Sequence, residues 1–251
     1  FMDNVRIAVD VGGTFTDIAL EHAEGLPTKK VLTTPDKPEE GVLSGIQSTL
    51  TEANISPSEI KILIHVTTLA TNALIERKGA NVALITTEGL RDSVEMAQEN
   101  RFEQYDINID RPKPLVPRYL RWGIRERMNV NGEVLIQLED ESIEQLLPMI
   151  DKNQIEAIAI GLIHSYANSM HEEKIAERLS AARPDLSITL SSQVCPEIRE
   201  YERQSTACAN AYVQPLMSRY LTKLDEALQS MGFMCPFLLM TSGGGLTTLD
   251  T

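Results

Sequence analysis

A pair of glycines between two β-rich segments is the feature that most limits what this sequence can fold into. Residues 5–11 are rich in β-branched side chains, and residues 15–20 form a second short strand pattern. Gly12 and Gly13 stand between them and allow the backbone to turn sharply. The sequence therefore predicts a β-hairpin near the amino terminus, with main-chain amides exposed in its turn.

Polar side chains surround this glycine turn. Asp10 ends the first strand, and hydroxyls with a second carboxylate follow the glycines. Amides without a neighbouring Cβ can approach phosphate oxygens, and a strand-end carboxylate can hold Mg²⁺ or orient an attacking oxygen. We predict that Asp10 is catalytic and binds the metal. The residues predicted to bind phosphate are Gly12, Gly13, Thr14, Thr16 and Asp17. For a glycine pair alone, an ordinary hairpin turn is the more common explanation.

The elements that follow the hairpin predict an α/β fold. A third strand is predicted at residues 30–34, and Pro38 opens an amphipathic helix that reaches about residue 53. Next come a strand at 60–66, a helix at 69–77 and a strand at 82–86. Because a helical crossover returns the chain in the same direction, the last two strands are predicted to pair in parallel.

The second half of the sequence is also predicted to be α/β. Residues 100–120 are rich in proline and indicate an irregular connection, while Asn131 and Gly132 predict a hairpin turn between residues 121–128 and 133–136. A helix at 140–152, kinked at Pro148, is predicted next, followed by a strand at 155–163, a helix at 170–182 and a strand at 187–191. A long helix is predicted at 199–230, and a break near Pro215 is left open. A strand at 237–240 then enters a glycine turn.

Composition limits the possible partners and the cellular compartment. The formal net charge of −13 argues against binding to nucleic acid and against adhesion to an anionic membrane. A small phosphate site stays compatible with this charge, because main-chain amides and a metal ion hold phosphate in acidic proteins. The three cysteines form no Cys-x-x-Cys pair, and no signal pattern or long apolar run stands out. We expect a soluble, cytoplasmic protein.

Four stretches of the sequence resemble the hydantoinase A and 5-oxoprolinase family, which includes the β subunit of acetone carboxylase. They occur in family order, at residues 7–20 (IAVDVGGTFTDIAL), 65–89 (HVTTLATNALIERKGANVALITTEG), 197–203 (EIREYER) followed by 205–212, and 239–246 (LMTSGGGL). The first stretch also resembles the first phosphate motif of the actin-like ATPases and sugar kinases. The resemblance covers nearly the whole chain.

The resemblance implies a fold and a division into regions. The expected fold class is α/β, the N-terminal half of an actin-like ATPase with a ribonuclease-H-like core, a mixed sheet and an inserted α/β subdomain. Residues 1–185 are expected to form the N-terminal domain of the family. Residues 186–251 are expected to begin the hydantoinase A domain that follows, and family members continue into a second actin-like half.

The resemblance also implies an activity. Family members use ATP and Mg²⁺, and the amide hydrolases among them are thought to phosphorylate the amide oxygen of a cyclic amide before water opens the ring. We therefore expect a small cyclic amide as substrate and either a homo-oligomer or a complex with a second hydantoinase subunit. Since the second actin-like half is not among these 251 residues, the chain alone is expected to be inactive.

Two more segments supply candidate site residues. Thr68 and Asn72 are predicted to be catalytic and Thr71 to contact the substrate, because this segment leaves a strand and opens a helix with unpaired amides. Plain N-capping by Thr67 or Thr68 is the alternative.

Three charged residues are further candidates for substrate contacts. The resemblance makes Glu200 and Arg203 candidates for substrate contacts. A solvated helix start is nevertheless the explanation for most charged clusters of this kind. Arg101 presents a fork that suits a carboxylate or phosphate, although most such arginines lie on surface loops. His164 and His171 lack the neighbouring ligands of a zinc site, so core or surface roles are favoured.

Several functions remain open beside the cyclic-amide hydrolase. A subunit of the acetone carboxylase type and a sugar or carboxylate kinase would both use the same phosphate turn. A non-catalytic nucleotide-sensing module is the alternative from another class. Measuring ADP release with different acceptors, and the affinity for Mg-ATP, separates these possibilities.

Overall fold

The chain divides into two compact units in a computed structural model. The first unit combines Phe1–Glu76 with Leu216–Thr251, and the second is Arg77–Pro215, so the second is inserted within the sequence of the first. The predicted division at residues 185 and 186 concerns family regions rather than compact units, and it stays a prediction. The residues that the structure describes are 5–34, 37–98, 103, 105–110 and 112–249.

The first unit opens with the predicted hairpin, third strand, helix, strand and helix. Its turn contains Gly12 and Gly13, and all the predicted elements of this segment are confirmed within a few residues. The elements are β1 (Arg6–Val11), β2 (Phe15–Glu21), β3 (Thr28–Leu32), α1 (Pro38–Ala53), a 3₁₀ turn at Pro57–Glu59, β4 (Ile62–Thr67) and α2 (Leu69–Glu76).

The second unit carries a four-stranded parallel sheet. Its elements are β5 (Val82–Thr87), α3 (Ser93–Met96), a 3₁₀ turn at Arg118–Leu120, β6 (Arg121–Ile124), β7 (Arg127–Met128), β8 (Val134–Ile136), α4 (Asp140–Glu144), α5 (Leu147–Lys152), β9 (Ala157–Gly161), α6 (Met170–Ala182), β10 (Ser187–Leu190) and α7 (Ser191–Val194). The strands of this sheet have the order β10-β9-β5-β6, and every pairing is parallel. All residues of the two central strands, β5 and β9, are buried.

Three predictions need correction. The predicted parallel pairing of residues 60–66 with 82–86 is wrong, because β4 pairs with β1 in the sheet of the first unit and β5 pairs with β6 and β9 in the sheet of the second. Residues 121–124 pair with β5 in the parallel sheet, and only Arg127–Met128 joins the hairpin around Gly132. The reason is burial, because Trp122 and Ile124 are almost fully enclosed. The predicted helix at 140–152 is two short helices, since Pro148 stands in the first turn of α5, where its missing N–H costs no helical bond.

A long helix belongs to both units. α8 (Glu200–Ser230) has 31 residues and continues through Pro215. Proline removes one helical hydrogen bond, but side chains on both sides of it are buried, among them Ala211 and Leu224. The helix is therefore held by packing and does not break there. β11 (Phe237–Met240) and β12 (Leu246–Thr247) follow it and complete the first unit.

The sheet of the first unit has six strands in the order β12-β11-β4-β1-β2-β3. β1, β4 and β11 run parallel to one another, whereas β2, β3 and β12 are antiparallel to their neighbours. The mixed sheet predicted from the sequence is confirmed. Because the three parallel strands point the same way, the segments that leave their carboxyl ends meet at one edge of the sheet.

Alternation along β1 separates the core from the surface of this sheet. Ile7, Val9 and Val11 are buried, while Arg6 and Asp10 on the opposite face are exposed. The buried face packs against apolar side chains of α1 and of the last part of α8, which are Val42, Ile46, Leu50, Tyr220, Leu224 and Leu228. Burial of each such aliphatic side chain stabilises the fold by about 1.5–3 kcal/mol.

Among the described residues, no helix is both long and apolar enough to cross a bilayer.

The substitution Gly79→Ala is expected to destabilise the second unit. A Cβ atom at this position would lie 2.2 Å from Cδ1 and Cε1 of Tyr212, whose ring is buried. The expected loss in the free energy of unfolding is about 1–3 kcal/mol, typical of an overpacked core. Urea denaturation measures it.

Gly243→Ala is the matched control for this measurement. A Cβ atom at Gly243 meets nothing within 4 Å, and the residue does not have a left-handed φ. Its free energy of unfolding should stay within about 1 kcal/mol of the wild-type value. Equal stabilities of the two variants would contradict the packing argument at Gly79.

Candidate functional site

The glycine turn of the first hairpin is open to solvent. The amide of Gly12 donates to the carbonyl of Phe15 at 2.9 Å, which closes the turn. Gly13 and Thr14 are exposed, and no described residue accepts a hydrogen bond from their amides. Two main-chain donors at the tip of the hairpin are therefore available to a ligand, as an anion-binding turn requires.

A threonine from the end of β3 fixes the shape of this turn. Thr33 donates its hydroxyl to the carbonyl of Gly12 at 3.0 Å, and its amide donates to the carbonyl of Thr14 at 2.9 Å. Since the single hydroxyl proton of Thr33 is used in this way, Thr16 donates to Thr33 across 3.0 Å. Thr16 is fully buried. Its hydroxyl, which is predicted to contact phosphate, stabilises the turn through Thr33 in this structure. A direct contact between this hydroxyl and a ligand stays a prediction.

Asp10 lies on the exposed face of the hairpin in a row of charged side chains. It is paired in register with Asp17, which makes an ion pair of 2.8 Å with Lys30 on β3. Opposed residues of antiparallel strands project to the same side of the sheet. Lys30 neutralises Asp17, whereas no described side chain pairs with the carboxylate of Asp10. The carboxylate of Asp10 is therefore the one available to bind a cation.

The donor set fits a magnesium ion that arrives with phosphate. The described residues contain no group of three or more His, Cys, Asp or Glu side chains that would hold a metal by themselves. Mg²⁺ in phosphate-handling sites is commonly held by one or two carboxylates with phosphate oxygens and water. Asp10, exposed near the end of the strand that leads into the turn, is such a carboxylate.

The segment between β4 and α2 meets the glycine turn. The amide of Thr68 donates to the carbonyl of Val11 at 3.1 Å, and the side-chain amide of Asn72 lies 3.4 Å from the hydroxyl of Thr68. A Cβ atom on Gly13 would be 3.2 Å from Nδ2 of Asn72. The structure therefore brings together predicted residues from two distant parts of the sequence.

The remaining residues of this segment have different positions. The hydroxyl of Thr67 accepts a hydrogen bond from the amide of Leu69 at 3.1 Å and so satisfies the first main-chain donor of α2. Thr71 is exposed on α2.

Two of the predicted charged residues, Glu200 and Arg203, take part in the internal structure of the second unit. Arg203 is fully buried, and it donates to the carbonyls of Glu197 and Leu162, each at 2.7 Å. The carboxylate of Glu200 lies 3.7 Å from the same guanidinium. Arg203 thereby ties the start of α8 to the end of β9, and a substrate contact for either residue stays a prediction. Arg101 lies outside the described residues.

A neighbour of Arg203 was not predicted as important. Gln204 donates to the hydroxyl of Thr86 at 2.9 Å and to the carbonyl of Gly161 at 2.8 Å. These acceptors lie at the carboxyl ends of β5 and β9, whose connections leave in opposite directions to β6 and β10. Ligands often bind at such a point in parallel sheets. Here the side chain of Gln204 occupies it.

A buried histidine of the first unit belongs to the core. His65 is 1% exposed, its Nε2 lies 3.1 Å from the hydroxyl of Tyr220, and its ring contacts Phe237 edge to face. Burial lowers the pKa of His65 from 6.5 to about 4. The imidazole is therefore neutral at physiological pH and supports β4 and α8.

The sheet order and the inserted unit define the fold class. It is a mixed α/β fold with an α/β unit inserted in its sequence, as expected. Comparison with known proteins is consistent with this class. The profile described as the hydantoinase/oxoprolinase N-terminal region matches residues 6–182, and that described as hydantoinase/oxoprolinase matches residues 203–251. The chain belongs to the hydantoinase/oxoprolinase family.

Relatives and solved structures agree with this assignment. The chain is 36% identical to an uncharacterized protein of Methanocaldococcus jannaschii and 33% identical to caprolactamase subunit alpha of Pseudomonas jessenii, over 97% and 96% of its own length. It spans only 36% of either relative.

The same agreement holds for solved structures. The crystal structure of the ATP-dependent caprolactamase from Pseudomonas jessenii superposes with a TM-score of 0.87 at 32% identity, covering 96% of this chain and 36% of that one. A nucleotide-free acetone carboxylase structure superposes with a TM-score of 0.86 at 24% identity, covering 100% and 38%, a likeness of fold alone.

Acid is expected to destabilise the wild-type protein more than a His65→Gln variant. The unfolded histidine binds a proton below pH 6.5, whereas the folded one resists protonation until about pH 4. The contribution of the neutral, buried imidazole to the free energy of unfolding is complete above pH 6.5. It decreases by about 3 kcal/mol as the pH falls from 6.5 to 4.

Denaturant unfolding of both proteins between pH 7 and pH 4 measures this contribution. Carboxylate titrations are common to both proteins and cancel in the difference. An identical pH dependence of the two free energies of unfolding would contradict the burial of a neutral imidazole.

Proposed function

We propose that this chain is the nucleotide-phosphate-binding portion of an ATP-dependent cyclic-amide hydrolase. The observation that carries the proposal is the open turn of the first hairpin, where the amides of Gly13 and Thr14 have no acceptor among the described residues and the exposed Asp10 stands near the end of the strand that leads into the turn. Amides and a metal-binding carboxylate are the groups needed to hold a magnesium nucleotide. The similarity to an ATP-dependent caprolactamase supports the choice of ATP and of an amide substrate.

In this proposal the turn holds and polarises the phosphates. Mg²⁺, when bound with the nucleotide at Asp10, neutralises charge on the phosphate oxygens. The free amides of Gly13 and Thr14 donate to those oxygens, Gly12 lets the backbone turn beneath them, and Asp17 pairs with Lys30. Thr68 and Asn72 are proposed to contact the transferring group, because the amide of Thr68 bonds the carbonyl of Val11 just before the turn and a Cβ atom on Gly13 would lie 3.2 Å from Nδ2 of Asn72.

The chemical need for ATP follows from the stability of an amide. Its oxygen attacks the γ-phosphorus, an O–P bond forms, and the bond to ADP breaks. Water then adds to the activated carbon and the ring C–N bond breaks, with the nitrogen leaving as an amine that takes up a proton. A second water releases inorganic phosphate from the resulting acyl phosphate. Donors aimed at the transferring oxygens accelerate such a step by stabilising its developing charge.

Substrate contacts and partners belong to the same proposal. Thr71, exposed on α2 in the first unit, is a proposed substrate contact, as are Arg101, Glu200 and Arg203. The last of these already has two carbonyl partners, which favours a supporting role for it. We also propose assembly with further copies or with a second, different subunit. The name caprolactamase subunit alpha indicates a multi-subunit enzyme in that relative.

Release of ADP by the natural protein tests the function directly. We expect ADP release that depends on a lactam, 5-oxoproline or a hydantoin, with ring-opened product in equal amount. ADP release with a sugar or a carboxylate alone would identify a kinase instead, and bicarbonate-dependent release with a ketone would identify a carboxylase. Tight Mg-ATP binding with no turnover on any of these acceptors would favour a sensing module.

The substitution Asp10→Asn is expected to abolish metal-dependent turnover. The neutral amide keeps the size of the side chain but attracts Mg²⁺ poorly, so kcat should fall about 10²- to 10³-fold. Steady-state kinetics at varied Mg²⁺ measures this, and Asp225→Asn on α8 is the matched control. Unchanged magnesium dependence in Asp10→Asn would remove the proposed metal role.

A further inference from the structure

A second glycine turn lies at the end of β11 in the first unit, and the proposed function gives it no role. Thr241 closes the turn, because its amide donates to the carbonyl of Gly245 at 2.8 Å and its carbonyl accepts from the amide of Gly244 at 2.9 Å. The hydroxyl of Thr241 also lies 3.2 Å from the amide of Gly245. The turn is thus a braced structure with its tip at Ser242 and Gly243.

The tip of this turn offers unused hydrogen-bonding groups. Ser242 and Gly243 are exposed, and no described residue accepts a hydrogen bond from their amides. The hydroxyl of Ser242 likewise has no partner among the described residues. A Cβ atom at Gly243 would meet nothing within 4 Å, so the space above the turn is open.

The strand register places this tip level with the phosphate turn. Val9 of β1 pairs with His65 of β4, and His65 pairs with Leu239 of β11, all in parallel. Gly12, Thr68 and Ser242 each lie three residues beyond these paired residues. All three therefore follow the carboxyl ends of parallel strands, at the same edge of the sheet. β4 stands between the other two strands, so the two turns are roughly 10 Å apart, which is two strand spacings.

We propose that the Ser242–Gly243 tip binds the amide group of the cyclic substrate and presents its oxygen towards the nucleotide held at Gly12 and Gly13. This inference rests on the proposed function and adds the position of the acceptor. A secondary amide in a ring carries one acceptor oxygen and one N–H donor. A main-chain amide of the turn donates to that oxygen, and the hydroxyl of Ser242 accepts from the ring N–H.

The chemistry of the turn favours a neutral acceptor over a second phosphate group. Residues 241–245 contain no carboxylate to hold a metal ion and no cationic side chain. The first turn, in contrast, has Asp10 beside it. The segment with Thr68 and Asn72 lies between the two turns, where a phosphoryl group passing from one to the other would be contacted.

Kinetics of the natural protein with Ser242→Ala and Gly243→Ala tests the proposal. The first variant removes the hydroxyl, and the second places a methyl group where the ring would approach without disturbing the turn. The KM for 5-oxoproline or caprolactam, whichever the wild-type protein hydrolyses, should rise about five- to tenfold in each variant, through one lost hydrogen bond in Ser242→Ala and through the steric conflict with the ring in Gly243→Ala. The Kd for Mg-ATP, measured by calorimetry, should stay within about twofold of the wild-type value in both.

Two further variants sharpen this result. Ser242→Thr keeps the hydroxyl and should restore most of the affinity lost in Ser242→Ala. Ser58→Ala is the matched control, since Ser58 is exposed on the 3₁₀ turn before β4, at the opposite end of that strand. Both the KM for the amide and the Kd for Mg-ATP should be unchanged in it.

The outcomes separate the two proposals. An unchanged KM for the amide in Ser242→Ala and Gly243→Ala, with an active wild-type protein, overturns the acceptor site and leaves the proposed function intact. A weaker Kd for Mg-ATP with an unchanged KM assigns the turn to the nucleotide and also overturns the inference. A wild-type protein that hydrolyses no cyclic amide overturns the proposed function, and this inference falls with it.

Discussion

The parallel pairing of β1 with β4 is the interaction on which the candidate site depends. Six residues of each strand are in register, from Arg6 with Ile62 to Val11 with Thr67. Because both strands end together, the glycine turn and the segment that opens α2 emerge side by side. The amide of Thr68 then continues the ladder by bonding the carbonyl of Val11. The proposed contacts of the first glycine turn and of the segment with Thr68 and Asn72 follow from this shared edge.

Local patterns in the sequence were enough to predict the hairpin, the third strand and the order of the next elements. The sharp turn of the backbone needs glycine, and Gly12 and Gly13 lie within a few residues of the strands that the turn joins. Thr33 was missed because its hydrogen bonds to Gly12 and Thr14 cross about twenty residues of sequence, and no local pattern encodes them. A threonine directly after a strand that pairs beside the turn is the signal that would have found it.

Burial explains most of the remaining differences between prediction and structure. The charges at the head of α8 suggested a solvated helix start, yet Arg203 is completely enclosed. Carbonyl acceptors supplied by other segments make that burial possible, and they cannot be located from sequence spacing. The same holds for Glu172, whose carboxylate accepts hydrogen bonds from the amides of Leu162 and Ser192 and from two serine hydroxyls. These groups make the second unit a self-contained structure around its parallel sheet.

The close approach of Gly13 to Asn72 has a consequence for how this family can diverge. A side chain at position 13 would press on the amide of Asn72, which is only 3.2 Å from where a Cβ atom would stand. The two positions are therefore sterically dependent, and a bulkier residue at one is tolerated only if the other becomes smaller or turns away. Relatives should show correlated changes at these two sites, whereas Thr71, which points to solvent on the same helix, is free to vary by itself.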